Sequence, residues 1–239
     1  MKVRFYPSST RGEVDHGWLK SFHSFSFAHF YDPARENFGL LRVLNDDTVE
    51  PSRGFDTHSH REMEIVSIPL RGSLRHKDSE GNETLIQENE VQMMSAGTGV
   101  SHSEYNASDR DEVNFLQIWV FPKEKGIQPR YEQKKFDSKK RENQWQEVVG
   151  PLGQSGSGVR INQDAWFYLA DLSDNSSLSY QLHSKNHGVY VFLIQGKISV
   201  NETELNKKDA LGLSQIQDLS VKSHEASTAL LIEIPMDPS

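Results

Sequence analysis

Short apolar runs separated by turn residues dominate the sequence and restrict the fold to a β architecture. Turn-forming residues interrupt these runs every 8–12 residues or so, and strands at that spacing are typical of sandwiches and barrels. No segment keeps an apolar stripe with a period of 3.6 residues, and the best helix candidate, residues 137–146, is short and polar. The pattern therefore predicts an all-β protein. The apolar runs are 40–44, 65–70, 91–94, 115–121, 189–194 and 230–234, and the predicted turns are 45–47, 71–72, 78–82 and 195–196.

A faint internal repeat predicts two similar β domains in tandem. Residues 65–74 resemble residues 189–198, because each segment reads as a strand, a glycine turn and a returning strand. The stretch between residues 123 and 158 is the poorest in apolar side chains, so we place the domain boundary near residue 136. The expected domains are 1–135 and 136–239.

Composition excludes several kinds of site and partner. The chain has no cysteine, which removes disulfides, thiolate metal sites and a cysteine nucleophile. Its 26 basic and 34 acidic residues give a formal charge of −8, which offers little attraction to nucleic acid or anionic membranes. We expect a cytoplasmic monomer without a membrane segment. A basic cluster is interpreted as a solvated linker face, with a docking patch for an acidic protein partner as the alternative: Lys134, Lys135, Lys139, Lys140 and Arg141.

Two pairs of residues in the first half of the chain have metal-ligand spacing. His58 and His60 form a His-x-His pair, and His102 and Glu104 form a His-x-Glu pair 42 residues later. Because residues i and i+2 of a strand point to the same face, each pair delivers two side chains into one space. Three imidazoles and a carboxylate suit Fe, Ni, Cu, Zn or Mn and leave two positions of an octahedral ion open. Spacing alone leaves Glu64 as an alternative carboxylate ligand.

The residues around both pairs resemble the two cupin motifs. The first motif is matched by Gly54, His58, His60, Glu64 and Gly72, and the second by Gly99, His102 and Asn106. Further segments resemble the pirin family and cover most of residues 1–135, and the second half resembles the C-terminal cupin of bacterial pirins more loosely. The resemblance implies a bicupin, that is, two tandem cupin (jelly-roll) β-barrels. The pirin-like segments are 23–28, 31–33, 41–47, 54–64, 76–82 and 94–104.

The resemblance to pirins also implies one metal in the N-terminal barrel and none in the C-terminal one. Pirin-like proteins hold iron, or another divalent metal, through residues that match His58, His60, His102 and Glu104. We therefore expect Fe²⁺, with Zn, Mn, Ni and Cu as alternatives, and we favour Glu104 over Glu64 as the carboxylate ligand. The second domain offers three histidines but neither of the two pair patterns, which agrees with a barrel that lacks a metal: His183, His187 and His224.

Bacterial pirins are associated with quercetin 2,3-dioxygenase activity. The resemblance thus implies a metal-dependent dioxygenase that cleaves a small aromatic substrate, a flavonol such as quercetin, with O₂. Glu104 would accept the proton of the substrate hydroxyl as general base. The alternative function is a non-enzymatic metal- or redox-sensing protein that regulates a protein partner. Both functions need the same ligands, so the sequence does not separate them.

Other residues near the two pairs are candidates for supporting roles. Arg61 and Glu64 are expected near the ligands, with Glu64 either behind them or on the rim and paired with Arg61. His76 is interpreted as a structural histidine, with a position behind the ligands or at the substrate as the alternative. No residue is assigned to the substrate. An aromatic group is interpreted as core packing, with the wall of a pocket for a flat ligand as the alternative: Phe22, His23, Phe25, Phe27, His29 and Phe30.

Overall fold

The computed structural model describes residues 1–237 and places 22 strands and two short 3₁₀ segments in that range. The 3₁₀ segments are Ser8–Thr10 and Ser138–Arg141. The strands are β1 (Lys2–Tyr6), β2 (Gly12–Asp15), β3 (Leu19–His23), β4 (Leu41–Val49), β5 (Gly54–His60), β6 (Glu64–Arg71), β7 (Ser73–Asp78), β8 (Glu83–Gln87), β9 (Glu90–Ser95), β10 (Val100–Asn106), β11 (Val113–Val120), β12 (Arg130–Lys135), β13 (Gln146–Pro151), β14 (Val159–Ile161), β15 (Trp166–Leu172), β16 (Ser177–Gln181), β17 (His187–Gln195), β18 (Lys197–Val200), β19 (Thr203–Asn206), β20 (Ala210–Ser214), β21 (Asp218–Ser223) and β22 (Ser227–Pro235).

Each half of the chain builds a barrel from one seven-stranded and one four-stranded sheet. In the N-terminal barrel the sheets have the orders β12-β9-β6-β11-β4-β3-β2 and β5-β10-β7-β8. In the C-terminal barrel the orders are β1-β20-β17-β22-β15-β13-β14 and β16-β21-β18-β19. The all-β fold of two tandem barrels predicted from the sequence is confirmed.

Alternation along the seven-stranded sheets separates the barrel interiors from the contact between barrels. On β11, Phe115 and Trp119 face the interior of the first barrel, whereas Leu116 and Ile118 face the second barrel. Both faces of such strands are buried, which explains their nearly continuous apolar runs. The two large sheets meet in a shared apolar core that includes Leu44, Val66, Leu116 and Ile118 from the first barrel and Phe167, Tyr190, Phe192 and Ile232 from the second.

The first strand belongs to the second barrel. β1 pairs antiparallel with β20, from Lys2 opposite Ser214 to Tyr6 opposite Ala210. The backbone N–H of Ser8 then donates to Asp209 Oδ1 at 2.7 Å. The predicted domain 1–135 therefore needs a correction at its start. At the other end of the first barrel, β12 pairs with β9.

Two local predictions are wrong. Instead of a helix over 137–146, a single 3₁₀ turn follows Asp137, whose side chain accepts a hydrogen bond from the Lys139 backbone N–H, and β13 begins at Gln146. The expected turn at 45–47 lies inside β4 and is buried. Within the described residues, no helix is both long and apolar enough to cross a bilayer.

Candidate metal centre

Two neighbouring strands of the small sheet carry the four predicted ligands. β5 and β10 are antiparallel, with His58 opposite His102 and a register shift between His102 and Glu104. Gly54 on β5 allows the strands to approach closely, since a Cβ there would lie 2.2 Å from the carbonyl oxygen of Glu104 and 2.5 Å from Tyr105 Cα. This explains the need for glycine at the start of β5.

The three predicted imidazoles converge at one point. Their ring centroids are 4.5–4.9 Å apart, and one nitrogen of each lies within 4.8 Å of the others. His58 Nδ1 lies 2.7 Å from the carbonyl oxygen of Asp56, to which it donates, so its Nε2 is the nitrogen left for a metal. His102 is 1% exposed, and neither of its buried nitrogens has a hydrogen-bond partner among residues 1–237. Such unpartnered nitrogens are costly unless a metal satisfies them.

Burial keeps two of these imidazoles neutral. It lowers the pKa of His60 to about 4, with a further contribution from the charge of His58. Burial and the neighbouring imidazoles lower the pKa of His102 to about 2. Because metals bind the neutral form, neither imidazole has to lose a proton near neutral pH.

Glu104 reaches the same space from β10. Its Oε2 accepts a hydrogen bond from Gln117 Nε2 at 2.7 Å, and its Oε1 accepts one from Ser67 Oγ at 3.2 Å. A carboxylate oxygen of Glu104 lies within 4.8 Å of nitrogens of His102 and His76, a group that shares His102 with the three-imidazole group. Burial raises the pKa of Glu104 to about 7, and the charge of Asp47 contributes.

Glu64 begins β6 of the seven-stranded sheet, and its side chain faces the second barrel. It is completely buried, and its Oε2 accepts hydrogen bonds from Ser95 Oγ at 2.7 Å and from the backbone N–H of Asn162, in the second barrel, at 3.0 Å. Arg61 is exposed and forms no ion pair within residues 1–237. The predicted rim position and the pairing of these two residues are therefore wrong. The chain turns at Glu62, which has a φ of 51°. The alternation of side-chain directions along His58 and His60 therefore does not continue onto β6.

His76 is buried behind His102, with 5.3 Å between the ring centroids. Its Nε2 lies 3.3 Å from Asp78 Oδ2, while its Nδ1 has no partner. The ring packs on Tyr131, at 5.0 Å, a residue on β12 that the sequence did not single out. His76 thus packs on the predicted ligand His102 from the barrel interior, whereas Glu64 faces the second barrel.

A cavity of about 240 Å³ opens beside the imidazoles. Its wall includes Trp119, whose edge packs against His60 at 4.9 Å and against Phe27 at 5.3 Å between centroids. Of the aromatic group singled out in the sequence, Phe27 lines this cavity, whereas Phe25 is buried between the barrels. Besides two of the histidines and Glu104, the lining consists of Phe27, Asn45, Asp47, Phe55, Gln117 and Trp119.

Most of these lining residues were missed in the sequence, although a signal existed for two of them. Gln117 and Trp119 share the inward face of β11 with Phe115, and strict alternation along the run 115–121 would have placed them there. Asn45 and Asp47 were hidden by their typical turn composition.

Known proteins resemble the chain over its whole length. A family model described as Pirin matches residues 5–120, and one described as Quercetinase C-terminal cupin domain matches residues 148–234. A quercetin 2,3-dioxygenase of Escherichia coli K12 is 38% identical over 95% of this chain and 96% of its own length. The chain belongs to the pirin family.

Solved pirin structures superpose closely on this one. YhhW from Escherichia coli gives a TM-score of 0.93 at 37% identity and covers 98% of both chains. The bacterial pirin YhhW in complex with nickel(II) gives 0.91 at 36% identity and covers 98% of this chain and 99% of its own. A pirin-like protein of Caulobacter vibrioides is 34% identical over 95% of this chain and 97% of its own length.

The side chains of this pirin fit a divalent transition metal. Three imidazole nitrogens beside a carboxylate form a donor set that binds divalent transition metals in preference to Mg²⁺ or Ca²⁺. The unpartnered nitrogens of His102 and the free Nε2 of His58 agree with that assignment.

Proposed function

We propose that this pirin is a metal-dependent dioxygenase that cleaves a flavonol such as quercetin with O₂. The observation that carries the proposal is the aromatic cavity, which opens onto the imidazole cluster and Glu104. A flat polyphenol suits walls built from Phe27, Phe55 and Trp119, because aromatic rings pack on one another in offset or edge-on arrangements. The relatives named quercetin 2,3-dioxygenase support the same reaction class.

In this proposal His58, His60, His102 and Glu104 hold a single divalent metal. Fe²⁺ is our first candidate, and Zn, Mn, Ni and Cu are the alternatives. When bound, the metal supplies a Lewis acid for the neighbouring oxygens of a flavonol and a centre for reaction with O₂.

Glu104 is assigned as the catalytic base. In the metal-free protein burial raises the pKa of this carboxyl to about 7, and a bound metal would hold it in the ionised form, which is the form that can accept a proton. Gln117 and Ser67 fix its two oxygens, so the carboxylate keeps one orientation towards the cavity. It accepts the proton of the flavonol hydroxyl, and the aromatic walls exclude water while the substrate anion is bound.

The test is turnover of quercetin by protein loaded with Fe²⁺ in air. We expect loss of the near-visible absorbance of quercetin and release of carbon monoxide in equal amounts. His102→Ala should stop both, because it removes an imidazole that orients the metal. His224→Ala is the matched control, since His224 is an exposed histidine of the second barrel.

Free ferrous iron is the blank. If the wild-type protein is no faster than this blank with iron, manganese, nickel, copper or zinc, the dioxygenase proposal fails. The metal- or redox-sensing function, exerted on a protein partner, then replaces it.

A further inference from the structure

A second cluster of ionisable side chains lies at the mouth of the C-terminal barrel. Glu233 on β22 is completely buried and its Oε1 accepts hydrogen bonds from His187 Nδ1 at 2.7 Å and from the His183 backbone N–H at 2.9 Å. Its Oε2 accepts from the Tyr180 hydroxyl at 2.6 Å and from His183 Nδ1 at 2.9 Å. Burial alone raises the pKa of Glu233, but the hydrogen bonds from the imidazoles and the tyrosine bring it below its ordinary value. The carboxylate is therefore ionised and fully paired.

This carboxylate fixes the orientation of both imidazoles. Each donates from Nδ1, which leaves Nε2 on the side of the ring away from Glu233. His187 is 7% exposed and lines a cavity of about 710 Å³, and the structure gives its Nε2 no hydrogen-bond partner within residues 1–237. His183 is stacked on Trp166 with 4.0 Å between ring centroids.

The cluster lies at the place where the first barrel has the wall of its metal cavity. Ile65 stands seven residues before the turn glycine Gly72 and pairs with Trp119. Val189 stands seven residues before Gly196 and pairs with Glu233. A buried carboxylate thus replaces the tryptophan that lines the metal cavity, at the same end of the second barrel.

Two ammonium groups without an ion pair in the described part of the chain line this cavity, those of Lys2 and Lys185. The carboxylate of Asp164 is held by Lys123 at 2.8 Å, which leaves Asp237 as the one unneutralised acidic group among the lining residues.

We propose that this cavity binds a small organic acid, whose carboxylate is held by His187 Nε2 and by the ammonium groups of Lys2 and Lys185. In the complex His187 is an imidazolium that donates to the ligand from Nε2 and to Glu233 from Nδ1. Its charge then lies between two carboxylates, an arrangement that strengthens both hydrogen bonds. The site is separate from the metal centre and does not depend on the proposed dioxygenase activity.

Calorimetric titration of the full-length, metal-loaded protein with succinate tests the proposal. We expect binding near pH 7. His187→Gln should weaken binding about tenfold or more, because a charged hydrogen bond is lost. Lys185→Gln, at an exposed residue that leaves the fold intact, should weaken it several-fold. His224→Gln is the matched control and should bind like the wild type.

Two further arms decide between the metal centre and this cavity, and between ligand classes. His60→Ala should leave the affinity for succinate unchanged. If succinate bound at the metal instead of the cavity, this variant would lose the binding. The neutral isostere succinamide should not bind. Absent succinate binding, equal affinity in wild type and both cavity variants, loss only in His60→Ala, or preferred binding of inorganic phosphate would each overturn the proposal.

Discussion

Glu104→Gln should stabilise the metal-free protein above pH 7 while destabilising the metal-loaded protein. The pKa of this buried carboxyl is about 7 in the folded chain and 4.5 in the reference state. A raised pKa contributes stability that is complete below pH 4.5 and is lost as the pH rises through 7. Between these two pH values the unfolded chain ionises this carboxyl while the folded chain keeps it protonated, which lowers the free energy of unfolding by about 3 kcal/mol.

A glutamine amide avoids this loss but disturbs one hydrogen bond. Gln117 and Ser67 both donate to the carboxylate, whereas an amide offers a single acceptor oxygen. One donor must reorient, at a cost of about 1 kcal/mol. We therefore expect a net gain of about 2 kcal/mol at pH 8 and almost no change near pH 5, where about 0.7 kcal/mol of the penalty offsets the weakened hydrogen bond.

Urea unfolding at both pH values, with chelator and with excess metal, measures the effect. With excess metal at pH 8 the wild type should be more stable than Glu104→Gln, because only the carboxylate is an anionic ligand. Ser103→Ala, on the same strand, is the control and should show no dependence on metal. If the metal-free variant is less stable than the wild type by the same margin at pH 5 and pH 8, the reasoning about the buried carboxyl is refuted.

Four further predictions concern the same centre. Metal binding should release about one proton at pH 6, where Glu104 is still protonated in the metal-free protein, and almost none at pH 8. Equal proton release at the two pH values would contradict this role of Glu104. Glu64→Gln should leave the metal content unchanged by elemental analysis, because the amide oxygen still accepts from the Asn162 N–H and the side chain faces away from the imidazoles; loss of metal would return Glu64 to the ligand set. Gly54→Ala should lower the free energy of unfolding by about 1–3 kcal/mol and weaken metal retention, because the added Cβ pushes β5 away from β10; unchanged urea midpoints would show that the strands adapt. Elemental analysis should find one metal per chain, lost in His102→Ala, and a metal that survives this substitution would point to a second site.

The features that sequence could predict are those set within a few residues. Alternation on a single strand brings His58 and His60 together, and the same holds for His102 and Glu104. Alternation fails at Glu64, because a turn with positive φ separates it from His60 and places it on a strand whose even-numbered residues face the other barrel.

Contacts between distant segments could not be predicted from local composition. Asn45, Asp46 and Asp47 have the composition of a turn. In the structure, however, Lys208 of the second barrel forms an ion pair with Asp46 at 2.9 Å, and the Asp47 carboxylate accepts a hydrogen bond from the Ser21 hydroxyl. These partners satisfy polar groups that would otherwise exclude the segment from a buried strand. Nothing near residues 2–6 distinguishes the sheet of the first barrel from that of the second.

The pairing of β1 with β20 sets the order in which the two barrels can be completed. β1 is synthesised before the other strands described here, but its partner residues 210–214 follow more than 200 positions later. The first barrel can close as soon as β12 is available, whereas β1 has no partner until residues 210–214 have been made. Such long loop closures slow folding and prolong the exposure of unpaired strand edges. Truncation of residues 1–6 would therefore damage the barrel encoded last and spare the one that follows them in sequence.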